Sequence, residues 1–255
     1  LSVQQSYLGR IEQFHGPPDR ELSIAAEVSR LQDSFVALSD SPEDNFLLAA
    51  TVNQATDTAN KFNDVSNLIT TLRNDAQADL QSTVGRINSL LEQIADLNKQ
   101  VQVNTNIERT TAVLEDQRDE AIKELAGLID ISFFKRGDGV LVVQTNLGVQ
   151  LADERVNQLT FNPSPVSAVS AYPTDVAGLF VGDPATDPGA VDITTRFPGG
   201  RLGGLLELRD TIFPKQQAQL DELAHKMALR FEAQGLLLFT DASGNVPADT
   251  PPDPS

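Results

Sequence analysis

The longest helix-forming stretch of this sequence runs from Pro42 to Gln102 and reads PEDNFLLAATVNQATDTANKFNDVSNLITTLRNDAQADLQSTVGRINSLLEQIADLNKQVQ. No proline follows Pro42 until Pro163, and Gly85 is the only glycine within the stretch. Because proline and glycine most disfavour a helix interior, the stretch can form one long helix. At 1.5 Å per residue, an unbroken helix of this length would extend about 90 Å.

A helix start signal opens this stretch. Ser41 is a favourable N-cap, Pro42 suits the first helical position, and the carboxylates of Glu43 and Asp44 meet the positive end of the helix dipole. We therefore expect the helix to begin at Pro42. Any bend of this helix is expected at Gly85, because a mid-helix glycine costs roughly 1 kcal/mol relative to alanine.

Apolar or small residues recur along the stretch at a mean spacing of about 3.5 residues, which is typical of a coiled-coil seam. They are Val52, Ala55, Ala59, Phe62, Val65, Ile69, Leu72, Ala76, Leu80, Val84, Ile87, Leu91, Ile94, Leu97 and Val101. A single helix cannot bury such a seam, so other helices must cover it. The candidates are residues 22–38, 107–129 and 202–234. The last should kink or restart at Pro214, because proline lacks a backbone donor.

A different composition marks residues 137–195, which carry seven acidic residues, the single base Arg155 and five prolines. Gly137-Asp138-Gly139, followed by Val140 to Val143, predicts the turn and second strand of a hairpin. Further short strands are predicted at 149–151 and 156–161. Residues 162–188 are expected to be loop, with room for one further strand.

These patterns predict a mainly α protein of the α+β type. Its architecture is an elongated antiparallel helical bundle, with a long coiled-coil-like helix and a small β-rich excursion. Residues 1–136 are assigned to the first part of the helical rod, and 137–198 to the β-rich, proline-rich excursion. Residues 199–240 form the returning helix that completes the bundle, and 241–255 a loop at which a longer chain has been cut.

Charge and cysteine content exclude several function classes. The chain has 36 acidic and 19 basic residues, a net charge of -17, and no cysteine. A surface this negative repels phosphate backbones and anionic lipids, so we expect neither a nucleic-acid nor a membrane partner. Without cysteine there is no thiol chemistry, iron–sulfur cluster or cysteine-bound zinc.

Few residues suggest enzymatic chemistry. The two histidines are His15, in an irregular FHGPP stretch, and His225, in a predicted helix; no G-x-S-x-G elbow occurs. Glu222 and His225 have the i, i+3 spacing of di-iron carboxylate bundles, but such sites need two of these pairs. Residues 136–138 spell Arg-Gly-Asp, which suits a hairpin turn. We therefore expect no catalytic residue, cofactor or metal.

Two clusters of charged residues lie among leucines in predicted helices. One interpretation is that both are solvated faces, whose ion pairs contribute only about 0–1 kcal/mol. The other is that they meet across the bundle, with Arg118 near Glu207, and fix the register of the helices. The six candidates for such salt bridges are Asp116, Arg118, Asp119, Glu207, Arg209 and Asp210.

Several segments of the sequence resemble the flagellar hook-associated protein 1 family, in the order and spacing of that family. These segments are Leu90-Leu91-Glu-Gln-Ile94-Ala95-Asp-Leu97-Asn98, Leu114-Glu-Asp116-Gln117-Arg118-Asp119, Glu124-Leu125-Ala126, Gly199-Gly200-Arg-Leu202-Gly203-Gly-Leu205-Leu206-Glu207-Leu-Arg209-Asp210 with Pro214, and Gln219-Leu220-Asp221-Glu-Leu223-Ala224. The resemblance covers essentially the whole chain and is weakest over 162–198.

The resemblance implies a non-catalytic structural protein of the extracellular bacterial flagellum, exported by the type III apparatus, at the hook–filament junction. Its implied partners are the hook protein, the second hook–filament junction protein and copies of itself, with an export chaperone bound through a terminus absent from this chain. The family's terminal assembly helices are absent too, so we expect the chain to be a monomer in isolation.

Two other classes of protein remain open. A chemoreceptor-like or other type III secreted coiled-coil interaction protein would also contain a long helical rod. A di-metal or hydrolytic enzyme would bind iron, manganese or zinc through His225.

Overall fold

One helix runs through the computed structural model, which describes residues 2–15, 23–196, 198–241 and 243–246. This helix, α3, spans Asn45–Asn106 without interruption, so its 62 residues extend about 93 Å. The single long rod is confirmed. The α-helix is continuous through Gly85, so its hydrogen bonding shows no interruption at the position where a bend was expected.

The N-terminus of α3 differs from the prediction. Asp44 is the N-cap, and its Oδ1 accepts from the backbone N–H of Phe46 at 2.8 Å and of Leu47 at 3.4 Å. Ser41 is instead the C-cap of the preceding helix. The expected start at Pro42 is therefore wrong by three residues, because the Asp44 carboxylate caps the helix in place of the Ser41 hydroxyl.

The other helices pack along α3. They are α1 (Val3–His15), α2 (Ile24–Asp40), α4 (Ala112–Leu128), α5 (Gly200–Glu207) and α6 (Phe213–Glu232). The helix α2 joins α3 through a short turn and lies antiparallel to its first third, where Thr51 Oγ1 donates to the Ser34 carbonyl. The helix α4 lies antiparallel to the last third, and α6 packs against the first. The predicted antiparallel helical bundle is confirmed.

The seam of α3 forms one side of a continuous core. Its buried members include Ala55, Phe62, Val65, Ile69, Leu72, Ala76, Leu80, Val84, Ile87, Leu91, Ile94, Leu97 and Val101. Val52 departs from the prediction, since it is 53% exposed and the neighbouring Thr51 is buried instead. A hydroxyl is tolerated at this position because it donates to the carbonyls of Leu47 and Ser34.

Two three-stranded antiparallel sheets form the β-rich part. The first has the order β1 (Ile131–Lys135), β2 (Leu141–Thr145), β3 (Gln150–Ala152), and the second β4 (Leu159–Phe161), β5 (Leu179–Val181), β6 (Val191–Asp192). The predicted hairpin turn at Gly137-Asp138-Gly139 is confirmed, with Gly139 at φ 85°. The first strand, however, lies inside the range 1–136 assigned to the helical rod. The β-branched and aromatic residues of Ile131–Lys135 favour a strand, so the helical part ends near 130.

The returning segment is interrupted ahead of Pro214, as predicted. A five-residue π-helix, Leu208–Ile212, separates α5 from α6, and the proline lies in the first turn of α6. Proline has no N–H to donate, so a local change of hydrogen-bond pattern accommodates it there. His15 is the last residue of α1. Most of the predicted loop 241–255 lies outside the described residues.

Candidate functional site: polar clamps along the long helix

Three asparagines of α3 each hold one residue of the β-rich part by both of its peptide groups. Asn98 donates from Nδ2 to the Leu141 carbonyl at 2.8 Å, and its Oδ1 accepts from the Leu141 N–H at 3.0 Å. Asn88 makes the same two bonds with Leu159 at 2.9 and 2.8 Å, and Asn74 makes them with Val166 at 3.0 and 3.0 Å. We call Asn74, Asn88 and Asn98 the asparagine clamps.

The clamps act on backbone atoms, as a neighbouring β-strand would. Each amide supplies one donor and one acceptor, which satisfies both polar groups of the residue it holds. Because unpaired backbone groups are costly when buried, these bonds specify where the β-rich part meets α3. Gln77 extends the set by donating from Nε2 to the Ser164 carbonyl at 2.7 Å.

Arg118 of α4 completes the clamp at Asn98. Its Nη1 donates to Asn98 Oδ1 at 2.8 Å and to the Gly139 carbonyl at 2.9 Å. The side chain is 2% exposed, and among the described residues it forms no salt bridge, although Glu115 is near enough to feel its charge. Through Nη1 the buried cation ties α4, α3 and the first hairpin together by amide and carbonyl dipoles, while its buried Nε has no hydrogen-bond partner among the described residues.

Arg73 joins α3 to the second sheet region and to the π-helix. Its Nε donates to the Arg209 carbonyl at 2.7 Å, Nη1 to the Ser167 carbonyl at 3.1 Å and Nη2 to the Ser170 carbonyl at 2.7 Å. Burial lowers the pKa of the Arg73 guanidinium, while the nearby Asp210 carboxylate acts in the opposite direction. The group stays charged at any physiological pH, because free arginine titrates above 12.

Arg209 occupies the π-helix and is completely buried. Its Nε and Nη2 form a bidentate pair with Asp210 at 2.8 and 2.7 Å, and Nη1 donates to the Ala177 carbonyl at 2.9 Å. The guanidinium also lies over the ring of Phe161, 5.5 Å from its centroid. A pairing that is both bidentate and stacked uses the planar shape of arginine, which lysine would not reproduce.

The six predicted salt-bridge residues separate into two groups. Arg118, Arg209 and Asp210 belong to the buried contacts above. Glu207, in contrast, is exposed and accepts from Gln4 of α1 at 2.6 Å, while Asp116 and Asp119 are exposed on α4. Arg118 and Glu207, which one of the two interpretations brings together, have different partners in the structure. The role of these residues in helix register stays a prediction.

The turn of the first hairpin contains an ion-pair group. Arg136 Nη2 pairs with Asp138 at 2.8 Å and also contacts Glu154. The hydrogen bond from Arg136 lowers the pKa of Asp138 to about 2, and the same contacts raise the pKa of Arg136. The Arg-Gly-Asp tripeptide therefore has a structural role in this turn.

The residues considered for metal chemistry are arranged differently from a di-iron site. Glu222 accepts from Lys226 of the next turn at 2.5 Å, and this bond lowers the pKa of the Glu222 carboxyl. Within the described part of the chain, no cluster of three or more His, Asp or Glu residues could hold a metal ion. No helix there is long and apolar enough to cross a bilayer.

Comparisons with known proteins give a consistent result. Residues 8–245 match the family model described as the flagellar hook-associated protein FlgK helical domain. Flagellar hook-associated protein 1 from Salmonella typhimurium is 26% identical over 231 residues, covering 89% of this chain and 40% of the relative. The Bacillus subtilis protein of the same name is 26% identical over 193 residues, covering 68% and 37%.

A solved structure has the same fold. It is that of the flagellar hook junction protein FlgK from Burkholderia pseudomallei, with a TM-score of 0.77 and 24% sequence identity over 95% of this chain and 42% of the other. The present chain thus spans about two fifths of the length of the relatives it matches.

Proposed function

The chain belongs to the FlgK family of flagellar hook-associated proteins, and on that premise we propose that it is the helical domain of a structural adaptor between the hook and the filament. The match over residues 8–245 carries this proposal. The adaptor acts outside the cell, in the bacterial flagellum, and transmits load without catalysing a reaction. The family match does not favour the alternative of a chemoreceptor-like or other secreted coiled-coil protein.

The arrangement of the clamps supports a load-bearing role. An isolated helix of 62 residues would bend. In this protein, later parts of the chain are hydrogen-bonded to α3 at Arg73, Asn74, Asn88 and Asn98. These four positions span 25 residues, or about 38 Å along the axis. Bonds spaced over that length resist sliding of the β-rich part along the rod.

The names of the relatives support partners in the flagellar hook and filament in general. The specific partners that we propose go beyond those names. They are the hook protein, the second hook–filament junction protein and further copies of the adaptor, with an export chaperone bound through a part of the protein outside this chain. Type III export requires the protein to travel unfolded and to refold outside the cell. A chain without cysteine refolds without forming wrong disulfides, which suits this route.

Deletion of the gene in its own bacterium tests the proposal. We expect hooks without attached filaments, together with flagellin released into the medium, and recovery of filaments when the intact gene is returned. Returning the gene with Asn88→Ala and Asn98→Ala should restore export but not full filament retention under shear. Normal filaments in the deletion strain would refute the proposal.

A further inference from the structure

The strand β1 forms an unpaired edge of the first sheet. Among the residues that the structure describes, it is hydrogen-bonded to β2 on one side only, and its residues 132–135 are exposed on both faces. Phe133 is 53% exposed and Phe134 is 52% exposed, although they point to opposite faces of the sheet. The neighbouring strand β2 is largely buried on both faces, whereas β1 contacts the body of the protein through Ile131 and through the ion pair of Lys135 with Glu115.

The register shows which backbone groups of β1 point outward. In β2, the N–H of Thr145 donates to Val149 and the N–H of Leu141 donates to Asn98, so both point away from β1. Thr145 lies opposite Ile131, and Leu141 lies opposite Lys135. In an antiparallel ladder the bonded pairs alternate, so Ile131, Phe133 and Lys135 direct their N–H and C=O groups to the free edge.

We propose that this edge pairs with β1 of a second copy of the chain, antiparallel and about a two-fold axis at Phe133. Phe133 then lies opposite Phe133 of the second copy, and Ile131 lies opposite its Lys135. Each of the three outward N–H groups meets an outward carbonyl, so the strand is complementary to itself. The two three-stranded sheets join into one six-stranded sheet.

Charge supports a second copy as the occupant. The same register places Asp130, just before β1, opposite Arg136 of the second copy, just after its β1. Asp130 is exposed, and its backbone N–H donates to the Pro198 carbonyl at 2.8 Å. Its carboxylate packs against Gly199 and makes no hydrogen bond or ion pair within the described ranges. Arg136 is only partly covered by its own carboxylates, with 35% of its side chain exposed. An Asp–Arg pair therefore closes each end of the joined strands.

The strength of the pairing follows from its size and from the net charge. A five-residue strand buries less than the roughly 1,000 Å² of a stable interface, so the dimer should form only at high protein concentration. Each copy carries a net charge of -17, and salt screens this long-range repulsion. Dimerisation should therefore increase with salt. It replaces the sequence-based expectation of a monomer and does not depend on the flagellar role.

Charge substitutions at the proposed two-fold axis test the pairing directly. Sedimentation equilibrium of the 255-residue chain should show a monomer–dimer equilibrium that shifts to dimer with added salt. Phe133→Lys and Phe133→Glu should each weaken the dimer on the order of 100-fold, because like charges then face each other. An equimolar mixture of the two variants should form a heterodimer, since Lys and Glu then face each other.

Val169 provides the matched control, because it is an exposed valine, 75% accessible, on a loop remote from β1. Val169→Lys and Val169→Glu should leave the equilibrium unchanged. Circular dichroism should show the same helix content in all variants. A wild type that stays monomeric, a dimer unaffected by Phe133→Lys, or a mixture without heterodimers would overturn the proposal.

A cysteine cross-link gives an independent measurement. The chain has no cysteine, so Phe133→Cys introduces a unique thiol. Directly opposed residues of a hydrogen-bonded antiparallel pair have Cα atoms about 5.5 Å apart, within reach of a disulfide. Mild oxidation should therefore give a covalent dimer with Phe133→Cys and much less with Val169→Cys. Equal yields from both variants would contradict the pairing.

Discussion

The side-chain oxygen of Asn98 accepts a hydrogen bond from Arg118 in the interior of the protein. Arg118 Nη1 donates to Asn98 Oδ1 at 2.8 Å, and the same oxygen accepts from the Leu141 N–H at 3.0 Å. One amide thus connects the long helix, the helix that returns along it and the first hairpin. Both side chains are buried, so water cannot replace either of them as a hydrogen-bond partner. Losing this bond therefore costs stability.

Replacing Asn98 by alanine should destabilise the protein strongly. The change leaves the Leu141 N–H and carbonyl and the Arg118 guanidinium without this partner, which should lower the free energy of unfolding by about 3 kcal/mol or more. Urea denaturation measures the loss. Asn60→Ala is the matched control, because Asn60 is exposed on the same helix and its replacement should be neutral or slightly stabilising. Equal effects of the two changes would contradict the clamp.

A double-mutant cycle should distinguish the observed contact of Arg118 from the expected one. Arg118→Met and Asn98→Ala should couple by about 1–3 kcal/mol, because the residues are in direct contact. Arg118→Met and Glu207→Gln should be additive within error, since their partners differ. The stabilities of the single and double variants, from urea denaturation, give both values. Strong coupling of Arg118 with Glu207 would contradict the structure.

The stability contributed by Asp138 should disappear in acid. Its pKa in the folded protein is lowered to about 2, against about 3.9 in an unfolded chain. The contribution is therefore fully present above about pH 4 and is lost as the pH falls towards 2. The melting temperature of the wild type should exceed that of Asp138→Asn at pH 6, and the difference should shrink between pH 4 and pH 2. A difference independent of pH would show that the carboxylate charge is not involved.

The same substitution at two glycines should have opposite effects. Gly200 has φ 58°, and a Cβ there would lie 2.7–2.8 Å from the backbone of Leu128 and Ile129. Gly200→Ala should therefore destabilise the protein, by about 2 kcal/mol or more. Gly85 lies in α3 with open space around it, so Gly85→Ala should stabilise by about 0.5–1 kcal/mol. Thermal unfolding of both variants measures the signs.

The helical architecture can be predicted from the sequence, because the spacing of apolar residues and the positions of proline and glycine are local features of the chain. The 3.5-residue seam, the absence of proline and the position of Pro214 predicted α3 and the interruption in the returning segment. The N-cap was misplaced because Ser41 and Asp44 are both good caps, and only the geometry of the turn selects Asp44. The first strand is not predicted, because the hairpin signal lies in the turn and the second strand.

The clamps were not predicted, since their partners are backbone atoms far away in the sequence. Asn98 and Leu141 are 43 residues apart, and peptide groups leave no pattern in a single sequence. A weaker signal was available. Asparagine is a poor helix former, yet Asn74, Asn88 and Asn98 lie close to buried seam positions within a continuous helix. Their presence there indicates a partner.

The asparagine clamps hold peptide groups, which every amino acid carries. Val166, Leu159 and Leu141 are buried, so exchanging their side chains would cost packing but would leave these backbone bonds in place. The exposed positions of this excursion carry no such packing constraint, so their sequence can diverge while the attachment of the excursion to the long helix is retained.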